Sequence, residues 1–227
     1  MIRLIGLSRR YRQGKGEALA LDAVELDVAD GEFVSITGPS GAGKSTLLSI
    51  LGLLDDDWSG EYWLDEEPVH SLRGKQRREL AREKVGFVFQ AYHLLDDLTV
   101  AENVELPLSY RKLPRRDRQE MVADVLERFG MAERRDLRPP QLSGGQQQLV
   151  AVARAVVGRP QLVLADEPTG NLHSRQGERV MEVFRRLNGE GATILQATHH
   201  ERFAEYAGRV IELEDGRVVA DRPGREP

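Results

Sequence analysis

The stretch Gly38-Pro39-Ser40-Gly41-Ala42-Gly43-Lys44-Ser45-Thr46 decides the fold. Gly38, Gly43, Lys44 and Ser45 occupy the fixed positions of G-x-x-x-x-G-K-[ST], a phosphate-binding loop. Its flanks supply the required context. Phe33-Val34-Ser35-Ile36-Thr37 is apolar and β-branched and predicts a strand feeding the turn, while Leu47–Leu54 predicts a buried helix leaving it. In such a strand–turn–helix, glycines let successive backbone N–H groups turn inward. The helix N-terminus adds partial positive charge, so the turn becomes a nest for a polyphosphate. Gly38, Ser40, Gly41, Gly43, Lys44, Ser45 and Thr46 are therefore the expected nucleotide contacts. Lys44 is expected on the β/γ-phosphates and the Ser45 hydroxyl on Mg²⁺. A chain with this loop is expected to bind a nucleoside triphosphate.

Length and composition narrow the rest. The 227 residues suit one large domain, or one domain with an inserted subdomain. With 32 Lys and Arg against 37 Asp and Glu the net charge is −5, which disfavours general nucleic-acid binding, so no nucleic-acid partner is expected. The chain has no Cys, which excludes disulfides, thiol catalysis and Cys-ligated metals. No signal-peptide pattern opens the sequence, and no run approaches the ~18 apolar residues of a membrane span. Work at a membrane would need another polypeptide to do the spanning.

Outward from the loop the pattern is mixed. Upstream, Ala18–Val28 alternates apolar and polar residues, and Asp30-Gly31 reads as a hairpin-type turn before the loop strand. Arg9-Arg10-Tyr11-Arg12 sets one aromatic among cations. Downstream come a turn and strand over Trp58–Asp65, a charged helix over Leu72–Lys84 and a buried strand, Val85–Phe89, ending at Gln90. From Leu98 to Gln148 the signals turn helical, at Val100–Leu108 and Arg115–Phe129, with Pro107, Pro114, Pro139 and Pro140 as punctuation. The α/β alternation returns with strands at Leu162–Ala165 and Thr193–Ala197. A final hairpin, Val210–Leu213 to Val218–Ala220, turns at Asp215-Gly216, and the polar tail Asp221–Pro227 is expected to fray.

Two further motifs carry chemistry. Leu162–Ala165 ends in Asp166-Glu167, and the carboxyl ends of parallel strands face the phosphate loop. Asp166 is placed to hold Mg²⁺ and Glu167 to polarise an attacking water. Leu142-Ser143-Gly144-Gly145-Gln146 precedes a helix predicted over Gln147–Val157, which makes a second anion nest in one chain.

The second nest resembles the signature motif of ATP-binding-cassette (ABC) ATPases, and the remaining motifs fall in that family's order along essentially the whole chain. The resemblance implies an α/β fold: a P-loop NTPase (RecA-like) core with an N-terminal antiparallel β-subdomain, residues 1–90 and 157–227, and an inserted helical subdomain over about 91–156. It implies that Tyr11 stacks on adenine and that Gln90 touches Mg²⁺ and signals to a membrane partner. Asp166 and Glu167 match Walker B and the catalytic glutamate, and His199 matches the switch histidine at the γ-phosphate. Catalytic roles thus fall to Glu167, His199 and Gln90, and Mg²⁺ contacts to Ser45, Gln90 and Asp166. Further implied is a head-to-tail homodimer or heterodimer with ATP between one chain's loop and the partner's Ser143, Gly144, Gly145 and Gln146. A few charge-assisted hydrogen bonds of roughly 1.5–3 kcal/mol each would couple nucleotide to association.

Within the family, Phe87–Leu95, Leu98–Val104 and Ala165–Leu172 resemble the bacterial lipoprotein-release, macrolide-export and cell-division (MacB/LolD/FtsE-like) subgroup. That implies a separate transmembrane permease subunit docking near Gln90 and Ala91–Val104, on the cytoplasmic face of the inner membrane, for export, lipoprotein release or mechanical work. Two positions depart from the family pattern. His173 stands where the loop after Asn171-Leu172 usually carries Asp, and Leu149 where Arg is common, so cross-site coupling differs from the family norm. Two alternatives stay open: a soluble ABC ATPase of DNA repair or translation, and a slowly hydrolysing regulatory module.

Overall fold

A computed structural model describes residues 1–14 and 16–224. The chain opens with two long antiparallel strands, β1 (Ile2–Gln13) and β2 (Gly16–Val28). Next come β3 (Phe33–Thr37), α1 (Lys44–Leu51), β4 (Ser59–Leu64), β5 (Glu67–Pro68), α2 (Gly74–Lys84) and β6 (Val85–Val88). Three helices follow, α3 (Val100–Ser109), α4 (Arg115–Arg128) and α5 (Gly144–Val156). The chain then alternates through β7 (Leu162–Asp166), α6 (Ser174–Gly189), β8 (Thr193–Ala197) and α7 (Glu201–Ala204) to the closing pair β9 (Arg209–Glu214) and β10 (Arg217–Pro223).

The strands form two sheets. One is antiparallel, in the order β2-β1-β4-β5; the other runs β10-β9-β3-β8-β7-β6, parallel except for its edge strand β10. Strand periodicity explains the layering. Side chains alternate across a sheet, so Val163 and Ile194 face one side while Leu162, Leu164 and Leu195 face the other. The first side packs against α3, α4, α5 and α6 through Val104, Leu126, Val152 and Phe184. The second packs against α1 and the antiparallel sheet through Leu47, Leu48, Leu4 and Tyr62. This is the α/β architecture the phosphate loop requires, with an antiparallel sheet on one face and a helical layer on the other.

Several local expectations change. Asp30-Gly31 is no hairpin turn: β2 lies in the antiparallel sheet and β3 in the parallel one, so the turn carries the chain between layers. The hairpin here is β1–β2, whose turn includes Lys15, outside the described residues. The alternation in β2 is interrupted by a bulge, where Ala23 takes φ 47° and Val24 becomes the next inward residue after Leu21. Leu19, expected on the buried face, is 42% exposed. The helices after both nests begin earlier than predicted, at Lys44 and at Gly144, because the nests themselves form the first turns. The tail is structured further than expected. β10 runs to Pro223, with Asp221 bound to the Arg209 guanidinium at 2.6 and 2.8 Å; residues 225–227 lie outside the described residues. No helix among the described residues is long and apolar enough to cross a membrane.

One buried amide shapes the loop between β6 and α3. Asn103, fully buried on α3, donates to the carbonyls of Leu95, Leu98 and Thr99 and accepts the Leu95 N–H at 2.8 Å. A capping box of Thr99 and Glu102 closes the same turn. The loop is therefore fixed by the helix it leads into.

Candidate functional site

The phosphate loop is shaped by what surrounds it. Gly38 has φ +139°, and a Cβ there would lie 2.0 Å from the Leu213 carbonyl oxygen of β9. Gly43 has φ +100°, and a Cβ there would lie 2.4 Å from the Ala20 carbonyl oxygen of β2. Glycine is thus dictated at both positions by conformation and by close backbone approach. Lys44, the first residue of α1, is only 8% exposed, and its Nζ donates to the Gly38 and Pro39 carbonyls at 2.8 and 2.9 Å. An ammonium has three donors, so one remains for a phosphate.

A cavity of about 650 Å³ opens over this loop. Its walls are Tyr11, Ala20, Ser40, Gly41, Gly43, Lys44, Ser45, Thr46, Gln90, Glu167 and His199. Residues from six separate stretches meet here: the loop after β3 and the ends of β6, β7 and β8 share one edge of the parallel sheet, and β1 and β2 bring Tyr11 and Ala20. Gly38 lies beneath the loop against β9. Asp166, the last residue of β7, accepts the Ser45 hydroxyl at 3.0 Å. Burial pushes the Asp166 carboxyl above the usual carboxylate range, assisted by the neighbouring Glu167 charge and partly opposed by Ser45 and Lys44.

Glu167 is the most constrained residue of the site. Its backbone takes φ 46°, uncommon for a side chain of this size, and its N–H donates to the Ala197 carbonyl at 2.9 Å. His199 Nδ1 lies 2.8 Å from Glu167 Oε1. The other oxygen, Oε2, is buried and has no partner among the described residues. The Glu167 carboxylate lines the cavity and is held there through Oε1, which suits it to receive a proton from a water. Gln90 follows β6, and the Asn171 amide donates to its backbone carbonyl at 3.1 Å, tying the loop after β6 to the loop after β7.

Tyr11 forms the outer wall. Its ring lies 4.1 Å from the Arg9 guanidinium carbon, and its hydroxyl donates to Asp55 Oδ2 at 3.1 Å. Sequence reading passed over Arg9 and Asp55 as parts of the site. Arg9 lay in view within the cationic run, but its acidic partners are more than forty positions away.

The second nest stands apart. Ser143 caps α5, taking the Gln146 N–H on its hydroxyl oxygen at 3.4 Å while Gln146 Oε1 accepts the Ser143 N–H at 2.9 Å. The N–H groups of Gly144 and Gly145 fall in the first turn, where no intrahelical acceptor exists. Ser143, Gly144, Gly145 and Gln146 line no part of the cavity over the phosphate loop. Of the two departures, His173 is exposed at the start of α6. Leu149 is 2% exposed and packs in the core of the helical layer, so its side chain offers no face to a second chain.

Fold and loop together define a phosphate-loop nucleotide-binding protein. The family profile described as ABC transporter matches residues 21–170. The macrolide export ATP-binding/permease protein MacB 1/2 of Paracoccus denitrificans is 49% identical over 222 residues, which is 98% of this chain and 33% of that protein. The ABC transporter ATP-binding protein YvrO of Bacillus subtilis is 44% identical over 226 residues, 99% of this chain and 98% of that one. A dimeric post-hydrolysis structure of the ATP-binding cassette MJ0796 with ADP and Pi superposes with TM-score 0.91 at 39% identity, covering 100% of both chains. The structure of cbiO1 from Clostridium perfringens, part of the ABC transporter complex cbiONQ, gives 0.87 at 28%, covering 98% of this chain and 88% of that one. The chain belongs to the ABC transporter family and is an ATPase cassette of it. It spans about a third of the length of the MacB relative.

Proposed function

We propose that the chain hydrolyses ATP at the cavity over Ser40–Thr46 and passes the resulting motion to a membrane-spanning permease. The Glu167 carboxylate, on the cavity wall and held through Oε1 by His199, is the observation that carries the reading. Gly38, Ser40, Gly41, Gly43 and Thr46 supply the backbone cradle, and Lys44 the mobile cation. Tyr11 offers its ring to the adenine. Ser45, Gln90 and Asp166 present a hydroxyl, an amide and a carboxylate, hard oxygen donors that fit Mg²⁺. When bound, that ion would offset the negative charge that develops on the phosphate during transfer. Glu167 takes the proton of the attacking water, while His199 holds its Oε1 and fixes the carboxylate at the cavity wall.

Because Ser143, Gly144, Gly145 and Gln146 lie outside their own chain's cavity, the reading assigns them to the ATP of a second cassette in a head-to-tail dimer. The neighbour described as dimeric with ADP and Pi supports this assembly. The division into a core of residues 1–90 and 157–227 and a helical subdomain of about 91–156 is part of the same proposal, with α3, α4 and α5 packed on one another. The chain is expected on the cytoplasmic face of the inner membrane, with the permease docked against the loop that Asn103 fixes. MacB relatives are named as ATP-binding and permease in one protein, whereas YvrO is named for ATP binding alone; the reading takes the permease as a separate subunit. Export, lipoprotein release and mechanical work are the candidate outputs.

The test is size-exclusion chromatography of Glu167→Gln with and without Mg-free ATP. A nucleotide-dependent shift from monomer to dimer supports the sandwich. A persistent monomer with ATP bound refutes the homodimer.

A further inference from the structure

One buried arginine backs the Tyr11 wall of the nucleotide cavity. Arg9 is 8% exposed, an unusual place for a guanidinium on a strand near a hairpin tip. Its Nε donates to Asp55 Oδ2 at 2.8 Å, and its Nη1 donates to Asp57 Oδ2 at 2.6 Å and to the Arg10 carbonyl at 2.7 Å. Its plane lies over the Tyr11 ring, with the guanidinium carbon 4.1 Å from the centroid. Asp55 Oδ2 accepts from both Arg9 and the Tyr11 hydroxyl, and Asp55 Oδ1 accepts the Asp57 N–H. The ring is therefore held on one face by the cation and at its edge by the carboxylate. It still lines the cavity and is 40% exposed. Asp55 and Asp57 sit just beyond α1, the helix that Lys44 begins. The same cluster thus joins the ring on the cavity wall to the segment that follows the phosphate helix.

We propose that Arg9 is a positioning residue for nucleobase binding: stacked beneath Tyr11 and forked onto Asp55 and Asp57, it presents the free ring face to the purine of the bound nucleotide. The inference rests on the reading that Tyr11 stacks on adenine. Two physical effects favour it. A ring already immobilised loses no further rotamer freedom on binding. A cation on one face also draws electron density from the ring, which makes the opposite face a better partner for an electron-rich purine. Lysine cannot replace arginine here, because an ammonium neither lies flat on a ring nor forks to two carboxylates.

The experiment compares two probes, ATP and inorganic tripolyphosphate, by calorimetric binding to the full chain. The variants are Tyr11→Ala, Arg9→Lys and the double variant; Arg9→Lys keeps a cation beside Asp55, and so keeps the fold. Arg9→Lys is expected to weaken ATP about threefold to tenfold and to leave tripolyphosphate unchanged. Tyr11→Ala is expected to weaken ATP selectively as well, and the double variant to be no weaker than Tyr11→Ala alone. If Tyr11→Ala weakens ATP while Arg9→Lys binds it like the wild type, the role of Arg9 is overturned and the stacking reading survives. Equal loss of both probes in Arg9→Lys also overturns it, because the residue would then act through α1 on the phosphates. If Tyr11→Ala binds ATP normally, the stacking reading itself falls, and Arg9 with it.

Discussion

His199 Nδ1 stands 2.8 Å from Glu167 Oε1, although the two residues are 32 positions apart in sequence. The contact follows from topology. β7 and β8 are adjacent and parallel, with Asp166 opposite Ala197, so the residues just past their ends are neighbours across the sheet edge. The pairing holds the carboxylate at the cavity wall by one of its oxygens.

Glu167→Gln keeps an oxygen for the His199 contact and removes the base. ATP affinity is expected to stay within about twofold, while phosphate release falls roughly a hundredfold or more. A phosphate-release assay beside equilibrium binding separates the two. Turnover at the wild-type rate would remove Glu167 from the mechanism.

Lys44→Ala removes the mobile cation from the loop. Its carbonyl contacts at Gly38 and Pro39 are part-buried but local to the loop, so the fold should persist. ATP binding is expected to weaken by about tenfold or more, read by calorimetry alongside an unchanged circular dichroism spectrum. Unchanged affinity would contradict the phosphate assignment.

Asn103→Ala leaves the carbonyls of Leu95, Leu98 and Thr99 and the Leu95 N–H without their shared partner in a buried turn. The expected cost is about 2–4 kcal/mol, measured by urea unfolding. Hydrogen exchange should rise first at residues 95–99. Uniform protection there would show that the loop is fixed by something else.

The pH dependence of stability can be read at β10. Hydrogen bonds from Arg209 hold the Asp221 carboxyl below its ordinary range, against a smaller opposing effect of burial. A carboxylate with a lowered folded pKa stabilises the fold above its unfolded pKa, near 3.9, and the contribution fades as pH falls through the folded value. Asp221→Asn is therefore expected to lower the Tm by roughly 2 °C at pH 7 and to converge on the wild type in acid. Thermal scans from pH 7 to pH 3 check this; a gap that widens in acid would reverse the assignment.

The phosphate loop and the acids at the end of β7 were legible because each is encoded in a short contiguous run with a mechanical reason for every residue. Distance along the chain hid the rest. Arg9 meets Asp55 and Asp57 only because β1 passes the end of α1, which no local pattern announces. The turn at Asp30-Gly31 was visible as a change of direction, but turn residues do not say which sheet receives the next strand. Asp221 looked like part of a loose polar tail because its partner Arg209 organises it from the neighbouring strand. α6 went unread although Val180, Met181, Val183, Phe184 and Leu187 carry helical spacing and are all buried.

The separation of Ser143–Gln146 from the cavity of their own chain has a consequence for mixed populations. In the proposed head-to-tail pair, each site draws its loop from one chain and its signature from the other. A Lys44 lesion on one chain and a Gly144 lesion on its mate then fall in the same site, and the second site stays whole. The same two lesions on a single chain spoil both sites, even when the mate is intact. Two defective alleles would complement each other where one doubly defective allele is dominant.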